Sequence, residues 1–137
     1  MSDSRIPLVS VCCTTYQHAR FIRQAIEGFL MQRTSFPIEI IIRDDASTDG
    51  TSAIVKEYAE RHPNLIRAIL NQENQFSKGV RALPDAISHA RGTYIAICEG
   101  DDYWTDPLKL QKQVDFMEAN PDHSICFHRA HRLNDEG

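Results

Sequence analysis

Long apolar runs, a basic surplus and a cysteine framework are all missing from this 137-residue chain, and each absence closes off a class of function. No apolar stretch approaches the roughly 20 residues that a membrane-spanning helix requires. The opening residues, Met1-Ser-Asp-Ser-Arg-Ile-Pro7, lack the basic-then-apolar order of a secretory signal. A cytoplasmic chain is therefore expected, with membrane association only through parts that it does not contain. Lys and Arg number 15 against 19 Asp and Glu, a formal net charge of -4. Without a basic excess or a clustered Lys/Arg face, nucleic acid is not expected as a partner.

Cysteine is sparse, and Cys12, Cys13, Cys98 and Cys126 all fall in apolar runs read as buried strands. Reduced thiols in such places behave as small hydrophobes. A metal site from Cys126, His128 and His131 is the weaker reading, because two-residue spacing is what one strand face provides and no Cys-x-x-Cys partner accompanies it. His18, His62, His89, His123 and His131 read as surface or loop residues, none with a catalytic role. Aromatics are only 8% of the chain.

What is present is a composition of 42% hydrophobic and 25% charged residues, which suits one soluble domain, expected over residues 1–137. A chain of this size buries roughly 70% of its unfolded surface and needs no staples. Apolar patterning alternates between two periods. Runs at Leu8–Thr14, Ile38–Arg43, Leu65–Leu70, Thr93–Cys98 and Ser124–His128 predict strands. Helical spacing predicts helices over Phe21–Gln32, Thr51–Arg61, Val80–Ala90 and Pro107–Ala119, the last with Asp106 as its cap. Strands alternating with helices imply βαβ units, hence an α/β fold with a mainly parallel sheet and helices on both faces.

Ligands of open α/β sheets bind at the carboxyl ends of the strands. Three predicted strands end in polar sequence there: Thr14-Thr15-Tyr16, Asp44-Asp45-Ala-Ser-Thr-Asp-Gly50 and Glu99-Gly100-Asp101-Asp102. One edge thus collects Asp44, Asp45, Glu99, Asp101 and Asp102, and each close pair of like charges repels by about 4 kcal/mol at a surface-like dielectric. A hard divalent cation, Mg²⁺ or Mn²⁺, answers that repulsion and lets an acidic pocket hold a diphosphate, which points to a nucleotide. Thr14 offers a hydroxyl, Tyr16 an aromatic face for a base, and Asp45 an acceptor for its imide or amino edge. Thr48 and Asp49 read more simply as turn and capping residues, and Trp104 as an aromatic that either closes the pocket or seats the next helix.

These three segments, Pro7–Tyr16, Ile40–Thr51 and Ala90–Asp102, resemble in order and spacing the family 2 glycosyltransferases of the GT-A fold, over nearly the whole chain from Pro7 to about His128. The resemblance implies a Rossmann-like GT-A βαβ sandwich and metal-dependent transfer of a sugar, with inversion, from a nucleotide-diphosphate sugar, a UDP-sugar first among the donors. By matching position, Thr14 and Tyr16 would line the nucleotide pocket and Asp45, with Asp44 beside it, would contact the base. Asp101 would hold Mn²⁺ or Mg²⁺ as the aspartate of the family's Asp-x-Asp motif, and Asp102 would approach the donor sugar or diphosphate. Two departures stand out. Glu99 replaces the commoner Asp, so its longer arm would reach the ribose or a water. Leu83-Pro84-Asp85 stands where the family has Ala-Arg-Asn, leaving Lys78 and Arg81 as candidates to meet the diphosphate.

The family's general base and its saccharide or lipid-linked acceptor site belong to a second half, so the resemblance implies a chain truncated at its C-terminus with the base beyond Gly137. Two alternatives stand beside a transferase. One is a nucleotide-binding module without turnover. The other is a phosphoacceptor receiver domain, disfavoured because receivers place paired acids after the first strand, where this chain has Thr14-Thr15.

Overall fold

The computed structural model of the chain describes residues 6–133. The ends of the expected 1–137 domain, and most of the stretch read against a signal peptide, lie outside the described residues. In chain order the elements are β1 (Val9–Thr15), α1 (Ile22–Leu30), β2 (Ile38–Asp44), α2 (Thr51–Arg61), β3 (Ile66–Leu70), a 3-10 turn (Phe76–Lys78), α3 (Ala82–Ile87), β4 (Tyr94–Glu99) and α4 (Lys109–Ala119). The four strands form one all-parallel sheet in the order β3-β2-β1-β4, as expected when helices return the chain between strands.

Because side chains alternate across a strand, the register sorts the core into two layers. On one face Val9, Val11 and Cys13 of β1 join Ile40 and Ile42 of β2 and pack against Ile22, Ala25, Ile26 and Phe29 of α1, Val55 and Tyr58 of α2, and Leu110 and Val114 of α4. On the other face a smaller cluster of Cys12, Ile41 and Ala86 lies under α3. Each fully buried Ile or Phe stabilises the fold by about 1.5–3 kcal/mol, so the first layer carries most of the stability. Trp104 is buried in that layer, edge-on to Phe29 at 4.9 Å between ring centroids, so it seats the chain ahead of α4. Gly28 is what lets it in: a Cβ there would sit 3.1 Å from the Trp104 backbone.

Three expectations need correction. The last helix starts at Lys109 rather than Pro107, and Asp106 accepts from the Leu108 N–H at 2.8 Å ahead of it instead of capping it. Ser124–His128 is not a strand: it carries no ladder hydrogen bonds, and Ile125 and Phe127 are 69% and 86% exposed. Extended chain becomes a strand only with a partner's backbone, and here its contact is with α4, through Gln113 Nε2 donating to the Cys126 carbonyl. Cys126 is accordingly half-buried and off the sheet, unlike Cys12, Cys13 and Cys98. Burial drives those three thiols up, to about 11 for Cys12 and about 12 for Cys98, which leaves them inert at neutral pH. The third helix is also shorter than expected. Val80 closes the 3-10 turn by donating to the Gln75 carbonyl, and Pro84 falls in the first turn of α3, where no N–H is required.

Candidate functional site

Parallel pairing brings Thr14 beside both Arg43 and Glu99, and Asp44 beside Thr15 and Leu70. All loops that leave the carboxyl ends therefore start from one edge. They enclose a cavity of about 360 Å³ lined by Thr14, Thr15, Tyr16, His18, Asp45, Asn74, Phe76, Ala82 and Glu99.

The acids after β2 are held inside the fold. Asp44 is fully buried, and its carboxylate accepts from the Ser47 N–H at 3.0 Å, the Ser47 hydroxyl at 2.6 Å and the Ser52 hydroxyl at 2.5 Å. It pins the loop to the start of α2 and does not line the cavity. Asp45, 5% exposed, accepts from the Gln75 N–H at 2.7 Å, the Phe76 N–H at 3.1 Å and the Asn71 amide at 3.4 Å. Burial pushes its carboxyl up, but these donors and the Arg43 charge outweigh that and hold it below the ordinary Asp value. Asp49 accepts from the Thr51 N–H at 3.0 Å and so ties the loop to the first residue of α2, whose N-cap position is taken by Gly50.

The acids after β4 are in the opposite condition. Glu99, Asp101 and Asp102 are exposed, and one carboxylate oxygen from each lies within 4.8 Å of the others. Among the described residues no Lys or Arg is paired with them. Burial and then the neighbouring Asp101 charge raise the Asp102 carboxyl, against a smaller opposing effect of His18. Gly100 shapes this turn: its N–H donates to the Thr14 carbonyl at 3.0 Å, and a Cβ would sit 2.5 Å from Thr15 Oγ1 and 2.9 Å from His18 Nδ1. Three converging carboxylates without a Lys or Arg partner are an all-oxygen donor set that suits a hard divalent cation, so Glu99, Asp101 and Asp102 fit the expected metal.

Of the expected site residues, Thr14, Tyr16, Asp45 and Glu99 meet at the cavity, and Asp101 and Asp102 stand beside Glu99. Lys78 does not join them, being paired at the surface with Glu73. Arg81 is exposed ahead of α3 and does not line the cavity.

The sequence reading missed three participants. His18 receives or donates a hydrogen bond with Thr15 Oγ1 at 2.9 Å and lies 3.8 Å from Asp101; a lone His in a loop carries no signal of that. Phe76, the single aromatic of a polar loop, is such a signal. Arg43 is the third, 1% exposed, its Nε donating to Asp85 Oδ2 at 2.6 Å while Nη2 is buried without a partner. Asp85 thus binds α3 to the sheet.

Comparison with known proteins agrees with this geometry. The model of "Glycosyl transferase family 2" matches residues 10–137. An uncharacterised protein of Mycobacterium tuberculosis is 50% identical over 130 residues, 94% of this chain and 37% of its own length. A solved structure of the Pyrobaculum calidifontis mannosyltransferase PcManGT, in complex with GDP-Man and Mn²⁺, is similar with a TM-score of 0.68 and 28% identity, covering 83% of this chain and 33% of that one. S. aureus TarS in complex with UDP shares the fold at a TM-score of 0.69 and 24% identity, over 82% of this chain and 32% of its own. The chain therefore spans well under half the length of these relatives.

Proposed function

Because the chain belongs to glycosyl transferase family 2, we propose that it is the donor-binding part of an enzyme that moves a sugar, with inversion and with a divalent metal, from a nucleotide-diphosphate sugar to a saccharide or lipid-linked acceptor. The observation that carries this reading is the exposed cluster of Glu99, Asp101 and Asp102, paired with no Lys or Arg among the described residues, beside a cavity furnished with an aromatic, Tyr16, and a buried acceptor, Asp45.

In this reading the base lies against Tyr16. Asp45 has three donors already, and a carboxylate offers about four acceptor positions, so one position is left for a single N–H of the base, as an imide presents. Uracil offers its N3–H in this way, and guanine its N1–H. Thr14 adds a hydroxyl at the cavity floor. Glu99, Asp101 and Asp102 would hold Mn²⁺ or Mg²⁺, with Asp101 as the principal ligand, and the metal would supply Lewis-acid stabilisation of the departing diphosphate. Inversion is one displacement: the acceptor oxygen forms its bond to the anomeric carbon as the bond to the β-phosphate oxygen breaks, the electron pair leaves with the nucleoside diphosphate, and the acceptor proton passes to a general base. No residue of this chain is assigned as that base.

Calorimetric titration of UDP and GDP with and without Mn²⁺ tests the proposal. Metal-dependent binding that Asp101→Ala weakens by about tenfold or more is expected, with no loss of thermal stability. Binding indifferent to both the metal and the substitution would sink it. Turnover of a bound sugar nucleotide onto an acceptor, read by NMR of the anomeric centre, separates a transferase from a binding module.

A further inference from the structure

Phe76 is 77% exposed, among the most exposed large hydrophobic side chains of the described residues, yet it is held in place with unusual care. It opens the 3-10 turn Phe76–Lys78, and its own N–H and that of Gln75 both donate to the buried Asp45 carboxylate. The turn is locked from behind by Asn74, whose side chain accepts from the Ser77 N–H at 2.9 Å, and closed by Gly79 at φ 83°. An exposed phenyl ring gains nothing in stability from such anchoring. What the anchoring does is fix the Phe76 backbone at the wall of the same cavity that Tyr16, itself 48% exposed, lines. Two exposed aromatics on one cavity, with a hydrogen-bond acceptor between their loops, suit a flat heteroaromatic ring.

We propose that Phe76 is a nucleobase-stacking residue of this site, and that Asp45 acts on the base twice, by accepting one N–H and by presenting the Phe76 ring. This rests on the donor-site reading above, and it adds a residue outside the motifs that carry that reading. Stacking has no hydrogen-bond pattern, so the ring contributes to binding of purine and pyrimidine nucleotides alike and not at all to the diphosphate.

The test compares UDP, GDP and inorganic pyrophosphate, each with Mn²⁺, on the protein and on Phe76→Ala and Phe76→Trp. Phe76→Ala is expected to weaken UDP and GDP by about tenfold and to leave pyrophosphate affinity and the melting temperature unchanged. Phe76→Trp should retain nucleotide affinity and show indole fluorescence quenched by UDP but not by pyrophosphate, measured against the protein's own Trp104 signal. Nucleotide affinity unchanged in Phe76→Ala would overturn the proposal, as would an equal loss for pyrophosphate. A protein that binds neither nucleotide would overturn the donor-site reading itself, and this inference with it. A protein that binds both nucleotides without regard to Phe76 would leave that reading standing.

Discussion

The acidic pair after β2 and the acidic cluster after β4 share residue type, strand-end position and sheet edge, yet they are treated in opposite ways. Asp44 and Asp45 are buried and surrounded by N–H and hydroxyl donors. Glu99, Asp101 and Asp102 are exposed, close together and paired with no Lys or Arg among the described residues, with His18 the basic side chain near them, 3.8 Å from Asp101. A buried carboxylate must be satisfied or it unfolds the region around it. An exposed cluster can stay unsatisfied at small cost, screened by water, and is free to be neutralised by something else. The first arrangement anchors the loops around the cavity, and the second leaves its carboxylates open.

That contrast is breakable. Asp44→Ala removes the acceptor of three half-buried donors and should cost about 3 kcal/mol, lowering Tm by roughly 10 °C; a urea titration that finds stability unchanged would show that Asp44 is not a structural anchor. Asp101→Ala should do the reverse, keeping stability while losing metal-dependent binding. Next in size, Gly100→Ala forces a methyl against Thr15 and His18 and should shift the acidic turn off β1, costing about 1–2 kcal/mol and weakening Mn²⁺ affinity. Electron paramagnetic resonance of Mn²⁺ would read the second effect, and affinity equal to that of the parent would mean that the turn tolerates the displacement.

The smallest effect sharpens the comparison through pH. Asp45 is held below its unfolded value, so the folded state binds fewer protons than the unfolded one. Its contribution is present above the unfolded pKa and is lost as pH falls through the folded value. Glu39, buried beside Ser10 and Arg91, acts in the same direction: burial raises its carboxyl, but the hydrogen bonds prevail and lower it. Asp102 is raised, so its ionisation costs stability as pH climbs through the folded value, and acidification returns it. Denaturation curves between neutral pH and the carboxylate range should therefore show Asp45→Asn flattening the acid decline of stability and Asp102→Asn steepening it. Parallel curves for the two variants would contradict the assignment of opposite environments.

Much of the fold was legible because its signals are local. The β-branched run Ile38–Arg43 could only be a buried strand, and helix α2 over Thr51–Arg61 starts at a polar turn and stops at His62-Pro63, as sequence predicts. The alternation of such elements dictates a parallel sheet. The misread segment, Ser124–His128, has the right side-chain period but no partner backbone, and period alone cannot distinguish a strand from extended chain. Lys78 and Arg81 stand off the cavity wall for a related reason: a charge in a loop says nothing about where its side chain points, and Lys78 pairs with Glu73 at the surface.

The chain's own order of residues was enough to establish the α/β layout, the strand ends where acids gather and the resemblance that links them to sugar-nucleotide chemistry. These depend on propensity, periodicity and motif spacing, all of which are written within a few neighbouring residues. Which acids are bound up in the fold and which are left open was decided only by packing in three dimensions. Asp45 finds its donors 30 and 31 residues away in Gln75 and Phe76, and His18 lies near Asp101 only because β1 and β4 are neighbours in the sheet. Hydrogen bonding and desolvation act over a few ångströms of space, and no distance along the chain reports them.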